Sequence, residues 1–130
     1  MVLSEFVQPA LAELVLSELN DHILSKGGQK VDKLEDATRS SDVQLLIKKA
    51  QQQKNKKFLD TQMQILSSGS GPMDIDITLH CSLYTLTGRR KITHVKSDSD
   101  LCNNDYSSHD ICIGKLRYIR NSVSHKDFSV

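Results

Sequence analysis

The stretch SEFVQPALAELVLSELNDHILS, residues 4–25, indicates the fold class. Its apolar residues recur at steps of three and four, which is the spacing of one face of an α-helix. They are Phe6, Val7, Ala10, Leu11, Leu14, Val15, Leu19 and Ile23. Ser4 can cap this helix, Pro9 is expected near its first turn, and Gly27-Gly28 is expected to end it. The pattern predicts a chain built from helices.

A second helical pattern opens at Ser41 or Asp42. The segment 51–57 is wholly polar and basic, and the apolar stripe resumes over residues 58–66. One long helix with an exposed middle and two shorter helices are both compatible with this pattern. Before it, a short helical turn is expected around residues 31–34.

The serine- and glycine-rich segment 67–72 predicts a turn. Apolar residues on most sides of the segment 73–86 predict a buried central helix. The alternation over residues 74–77 would also suit a strand, but the length of the run favours a helix. The irregular segment 88–104 is expected to be a long surface loop.

The last helix is expected to start near Ser107, with Ser107 and Asp110 forming an approximate capping box. Its apolar stripe consists of Cys112, Leu116, Ile119 and Val123. Together the segments predict an all-α fold, a compact helical bundle of four to five helices in a single domain covering residues 1–130.

Composition restricts the classes of function. The chain has 130 residues, of which 38% are hydrophobic, and a formal net charge of +1. This balance gives no whole-domain field that would attract nucleic acid, so any such binding must use a local patch. No apolar run is long enough to span a bilayer, and no signal peptide is recognisable at the start. We therefore expect a cytoplasmic protein that does not bind membranes.

The three cysteines, Cys81, Cys102 and Cys112, are expected to be reduced thiols. With His94 and His109 they could suggest zinc, but their spacing follows no structural zinc pattern. Core packing is the expected role of Cys81 and Cys112. The sequence therefore predicts no metal and no cofactor.

The polar side of the last helix carries the residues of chemical interest. At about 100° per residue, five polar side chains fall on one flank of the helix. They are Arg117, Arg120, Asn121, Ser124 and His125. A guanidinium can clamp a phosphate, and an imidazole can transfer a proton near neutral pH. The set suits metal-independent attack of an RNA 2′-hydroxyl on its adjacent phosphodiester, but such residues on an exposed helix are more often simply solvated.

Two basic runs could follow a phosphate backbone. The first comprises Lys48, Lys49, Lys54, Lys56 and Lys57, and the second comprises Arg89, Arg90, Lys91 and Lys96. Solvated faces and a basic loop are the ordinary interpretation of each run. The second run is the better RNA candidate, because it would come near the last helix if the bundle closes. Its expected RNA contacts are Arg89, Arg90 and Lys91.

The segment LRYIRNSVSH, residues 116–125, resembles the Arg-(four residues)-His signature of HEPN domains, with Arg120 and His125 as the pair. Residues 73–79 resemble the phenylalanine-Asp-Ile-Thr-Leu-Leu block of one HEPN subfamily. That subfamily is found in the DAZ-interacting zinc-finger ubiquitin ligase and in invertebrate immune-type multidomain proteins. Residues 110–121 and 59–66 are similar to two further blocks of the subfamily. The resemblance runs from residue 58 to residue 125 in the subfamily's order.

This resemblance implies a helical bundle that binds single-stranded RNA, often as a homodimer with two Arg/His pairs in one cleft. Arg120 would contact the phosphate, His125 would transfer protons, and Asn121 would orient one of them or the RNA. Arg117 and Ser124 would support them. Many relatives are endoribonucleases, whereas others only bind RNA or partners.

Two features depart from the subfamily. The usual Gly-Trp pair before the last block is absent from HVKSDSDLCNNDY, residues 94–106. The chain also ends at Val130, where relatives continue into another helix. We therefore expect a bundle that lacks the family's last helix and dimerises more weakly.

Two classes of function follow from the sequence. The first is an RNA-binding HEPN-like domain, either a metal-independent endoribonuclease or a binder that does not cleave. The second is a non-catalytic dimerisation or protein-interaction module in an innate-immune or ubiquitin-pathway protein. Incubation of the purified protein with labelled RNA, with its dimer state measured by light scattering, discriminates them. Substitution of Arg120 or His125 should abolish cleavage if the domain is an endoribonuclease, and substitution of His125 should leave partner binding and RNA affinity unchanged if it is an interaction module.

Overall fold

The computed structural model describes residues 2–54, 56–68 and 77–125, with side chains over 8–54, 56–67 and 77–122. Within these ranges there are seven helices and no strand, so the predicted all-α class is confirmed. The helices are α1 (Val2–Ser25), α2 (Leu34–Arg39), α3 (Ser41–Gln51), α4 (Asp60–Ser68), α5 (Ile77–Tyr84), α6 (Asp98–Leu101) and α7 (His109–His125). None of them has both the length and the apolarity needed to cross a membrane.

The chain divides into two compact units, unit 1 (Met1–Arg89) and unit 2 (Arg90–Val130). In unit 1, α1 packs against α5, α2 and α3, and α2 also packs against α3 and α4. The core of this helical bundle consists mainly of leucine, isoleucine and valine, as the low aromatic content requires. Its most deeply buried members include Val15, Leu19, Val43, Ile47, Phe58, Leu79, Leu83 and Tyr84. The single-domain assignment of residues 1–130 stays a prediction.

Helix α1 begins earlier than its sequence signals suggested. It starts at Val2, so Ser4 lies inside the helix rather than at its cap, and Pro9 lies well beyond the first turn. A proline can occupy this position because it removes only one intrahelical hydrogen bond, close to the N-terminal end. The C-terminal end was predicted correctly. Gly27 adopts a φ of 84°, and the Gly28 N–H donates to the Ile23 carbonyl oxygen at 2.9 Å.

The segment 41–66 forms two helices rather than one long helix. Helix α3 is capped by Ser40, whose side chain accepts a hydrogen bond from the Val43 N–H. The helix ends at Gln51, whose side-chain amide donates to the Phe58 carbonyl oxygen at 3.1 Å and accepts from the Phe58 N–H at 2.9 Å. This pairing connects the end of α3 to the residues just before α4. The helical turn expected around residues 31–34 lies slightly later, as α2.

Helix α5 is buried on most sides, as the apolar pattern predicted. Leu79, His80 and Leu83 are each no more than 1% exposed. Within the described part of the run, residues 77–84 are helical, so the alternative of a strand is wrong there. Residues 69–76, which include most of the predicted turn and the start of the predicted helix, lie outside the described residues.

Unit 2 consists of an irregular segment, the single-turn helix α6 and the long helix α7. The expected surface loop therefore contains one short helix. The predicted capping box at Ser107 is wrong by one residue, because it is the Ser108 hydroxyl oxygen that accepts from the Ile111 N–H at 3.3 Å. Ser107 instead donates its hydroxyl to Asp105 Oδ1 at 2.7 Å.

The apolar stripe predicted for α7 is only half-buried at Cys112, Leu116 and Ile119. The most buried side chain on the helix is Ile113, which is 1% exposed, and the neighbouring Lys115 is 5% exposed. The buried face of α7 is therefore rotated from the predicted one. The fourth stripe residue, Val123, has a side chain that lies outside the described set.

Candidate functional site

A cleft of about 250 Å³ lies within unit 2, between α7 and the segment that precedes α6. Helix α7 contributes Arg117, Tyr118 and Asn121 to its lining, and the facing segment contributes His94. Val95 and Gly114, both buried, complete the lining. The cleft thus gathers a guanidinium, an imidazole, an amide and an aromatic ring around a small apolar base.

Gly114 allows the two sides of the cleft to approach each other. A Cβ atom built on Gly114 would overlap the Thr93 carbonyl oxygen, so this helix position accepts only a residue without a side chain unless the backbone moves. The same segment is fixed further by the Thr93 N–H, which donates to the Asp110 carbonyl oxygen at 3.2 Å. These contacts hold His94 beside the polar flank of α7.

The Tyr118 ring is held by its hydroxyl group, which donates to Asp98 Oδ1 at 2.7 Å. This hydrogen bond raises the pKa of the Tyr118 phenol above its ordinary value, and partial desolvation and the charges of Asp98 and Asp100 act in the same direction. Asp98 is positioned by α6, which Ser97 caps by accepting from the Asp100 N–H. The aromatic wall of the cleft is therefore oriented by a second helix.

Lys115 stabilises another part of unit 2. Its Nζ donates to the carbonyl oxygens of Asn103 and Asp105, each at 2.9 Å, and to Asn103 Oδ1 at 2.7 Å. It also lies 3.9 Å from the centroid of the Tyr106 ring. Hydrogen bonds from Ser107 hold the pKa of the exposed Asp105 carboxyl below its ordinary value. The loop 103–106 is thereby fixed to α7.

The structure brings together two of the residues predicted on α7. Arg117 and Asn121 both line the cleft. Arg120 is half-buried on the same helix and is not among the residues that line it. Residues 124 and 125 belong to α7, but the side chains of Ser124 and His125 lie outside the described residues. The Arg120–His125 pair therefore stays a prediction.

The three basic residues predicted to contact RNA are divided between the two units. Arg89, the last residue of unit 1, places Nη2 3.5 Å from Asp21 Oδ2, and both side chains are about half exposed. Arg90 and Lys91 begin unit 2 and are exposed. Each side chain is thus accessible to solvent, while Arg89 also has a carboxylate partner within its own unit.

The residues considered as zinc ligands do not form a cluster. Among the described side chains, no group of three or more histidine, cysteine, aspartate or glutamate residues could hold a metal ion. Cys81 is buried, Cys112 is half-buried and Cys102 is exposed. Burial of Cys81 agrees with the core role predicted for it.

Sequence reasoning missed the cleft contributions of His94 and Tyr118. The sequence suggested only a metal-ligand role for His94, because the neighbouring residues in the sequence do not indicate that it faces α7. One signal was available, namely Gly114 in the middle of a long helical pattern. An internal helix glycine lowers stability by about 1 kcal/mol relative to alanine and often marks close packing.

Comparison with known proteins finds that no family model, no curated protein and no solved structure matches this chain. The HEPN resemblance therefore stays a prediction that rests on the quoted segments.

Proposed function

We propose that this chain is a HEPN-like domain that binds single-stranded RNA through the cleft of unit 2. The observation that carries the proposal is the convergence of His94, Arg117, Tyr118 and Asn121 on one small cavity. Its volume of about 250 Å³ lies below the roughly 300–1,000 Å³ of pockets for drug-sized ligands. One base or one ribose phosphate is of suitable size for it.

Each side chain matches a different part of a nucleotide. The planar guanidinium of Arg117 can donate two parallel hydrogen bonds to a phosphate. His94 can add a hydrogen bond to the same anion, and the Asn121 amide can pair with a base edge. The ring of Tyr118 offers a surface for stacking an unpaired base, which is a common element of single-strand recognition.

Binding is tested by fluorescence anisotropy with short labelled single-stranded RNA. Loss of even one of these charge-assisted hydrogen bonds costs about 1.5–3 kcal/mol, so Arg117→Ala should weaken binding by at least roughly 10- to 150-fold. It should also lower the salt dependence of binding, because one phosphate contact is removed. His94→Ala and Asn121→Ala should have smaller effects.

Lys33→Ala provides a matched control, since Lys33 is an exposed cation just before α2 in unit 1 and belongs to neither basic run. The control should bind RNA as the unchanged protein does, and circular dichroism should show the same helicity for every variant. Binding in the cleft would be refuted if the Arg117→Ala, His94→Ala and Asn121→Ala proteins each bound RNA with the affinity of the unchanged protein.

Cleavage is a separate part of the proposal, and it rests on the Arg120–His125 resemblance. In the proposed reaction the 2′-oxygen attacks the adjacent phosphorus and its proton passes to His125. The bond from phosphorus to the 5′-oxygen of the next nucleotide breaks, which gives a 2′,3′-cyclic phosphate, and His125 returns the proton to the leaving 5′-oxygen. Arg120 would stabilise the charge on the phosphoryl oxygens. Incubation of labelled RNA in EDTA tests this step, with DNA of the same sequence as the control.

Loss of cleavage in Arg120→Ala and His125→Ala, with RNA affinity retained, would support an endoribonuclease. Binding without cleavage by the unchanged protein would assign the chain to the non-cleaving relatives of the family. Light scattering in the same samples tests the proposed homodimer. An innate-immune role follows only from the resemblance, and it is part of the same proposal, together with the cytoplasmic location expected from the sequence.

A further inference from the structure

Unit 1 contains a groove of about 360 Å³ that has no part in the proposed RNA site. One wall is a single face of α1, formed by residues spaced at three and four from Glu13 to Leu24. The other wall is the irregular segment Lys30, Val31 and Asp32. The α1 face spans about 16 Å, which is the length of about five extended residues.

Hydrogen bonds hold the two walls of the groove together. The Asn20 side chain donates to the Val31 carbonyl oxygen at 2.9 Å and accepts from the Val31 N–H at 3.0 Å. This pairing fixes the second wall to α1, and Asn20 itself is only 3% exposed. The turn between the walls is tight, because a Cβ on Gly28 would lie 2.7 Å from Ile23 Cγ2.

The lining is apolar at its base and acidic at its rim. Leu16 and Val31 are half-buried, and Leu24, near the end of α1, is 51% exposed. Glu13, Asp21 and Asp32 line the groove together with Lys30, and Arg89 pairs with Asp21, so acidic side chains outnumber basic ones by one. An anionic ligand such as RNA is disfavoured there by charge, whereas a cationic one is favoured.

Arg89 forms an ion pair with one of the carboxylates that line the groove. Its Nη2 lies 3.5 Å from Asp21 Oδ2, with the two side chains 50% and 48% exposed. An ion pair this exposed is weak, so the guanidinium of a ligand can replace that of Arg89 at little cost.

We infer that this groove binds a short basic segment of a partner protein, in which leucine-like side chains contact Leu16, Leu24 and Val31. Arginine or lysine side chains of the segment pair with Glu13, Asp21 and Asp32. This inference does not depend on RNA binding, because every residue that carries it lies in unit 1.

The test uses the whole chain and a fluorescein-labelled pentapeptide in which arginine and leucine alternate. Anisotropy should report binding that weakens as salt is raised, and amide shifts in NMR should map to α1 and residues 30–32. A peptide in which glutamate replaces arginine should not bind. Glu13→Gln with Asp32→Asn removes two exposed charge pairs and should weaken binding by roughly three- to ten-fold.

Two further variants separate the groove from general electrostatics. Asp36→Asn with Asp60→Asn changes the net charge equally at exposed sites on α2 and α4, and it should leave peptide affinity unchanged. Arg89→Ala frees Asp21 and should strengthen binding by about two- to five-fold. Equal weakening by both double substitutions, or shifts that map outside both α1 and residues 30–32, would overturn the inference.

Discussion

Replacing Lys115 with methionine tests how unit 2 is held together. The lysine side chain is only 5% exposed, and its ammonium donates three hydrogen bonds of 2.7–2.9 Å to Asn103 and Asp105. The same group lies 3.9 Å from the centroid of the Tyr106 ring. Methionine keeps much of the length and flexibility of the lysine stem but donates no hydrogen bond. The substitution therefore isolates the contribution of the ammonium group.

The size of the effect follows from these contacts. A hydrogen bond from a charged donor contributes about 1.5–3 kcal/mol, and an exposed cation–π contact about 0.5–1 kcal/mol. A simple sum is too large, because methionine removes the cost of burying a charge and the loop oxygens can bind water instead. We expect a net loss of about 2–3 kcal/mol in the local stability of α7 and the loop 103–106.

Amide hydrogen exchange measured by NMR reports this local stability directly. The expected loss corresponds to roughly 30- to 150-fold faster exchange at the protected amides of α7. Tyr106→Leu should give a smaller acceleration, since it removes only the ring. Lys49→Met is the control, because Lys49 is exposed on α3. Exchange in Lys115→Met that is indistinguishable from that of the unchanged protein would refute the role of the ammonium.

Two further changes test the walls of the cleft. Gly114→Ala should lower the free energy of unfolding by about 1 kcal/mol. Displacing the Thr93 carbonyl costs about 1–3 kcal/mol, and the higher helix propensity of alanine offsets about 1 kcal/mol of this cost. A variant that is more stable than the unchanged protein in thermal denaturation would contradict the close packing. The hydrogen bond to Asp98 raises the pKa of Tyr118 in the folded state, so its stabilisation is complete below the unfolded pKa of about 10 and is lost as pH rises through the folded pKa. In urea denaturation, the unchanged protein should therefore have a higher free energy of unfolding than Tyr118→Phe at neutral pH but not in strong alkali. A difference between the two proteins that persists in alkali would count against this hydrogen bond.

The helix boundaries of unit 1 were predictable where the signal is local. Gly27 provides the positive φ that ends α1, and Ser40, one residue before the expected start, caps α3. The division of 41–66 into two helices was not predictable, since it depends on hydrogen bonds between the Gln51 side chain and the Phe58 backbone. The polar run between them was equally compatible with an exposed helix.

The face of α7 that becomes buried could not be read from apolar spacing. The periodicity assigned burial to Cys112, Leu116 and Ile119, because these are the residues with apolar side chains at helical steps. Burial on α7 is set instead by what packs against it. Ile92 and Thr93 lie close to Gly114, and the loop 103–106 contacts Lys115. Ile113, directly before these two residues, is the most buried side chain on the helix.

Only the part of the candidate site that lies on α7 was predictable from the sequence. Arg117 and Asn121 lie four residues apart on one helix, so their common face follows from helix geometry alone. His94 joins them only because Gly114 lacks a side chain and lets the Thr93 backbone approach. A glycine inside a helix usually lowers its stability, but here the missing Cβ allows the segment that carries His94 to approach α7. If RNA binds there, its affinity should depend on residue 114, which cannot itself donate a side-chain contact.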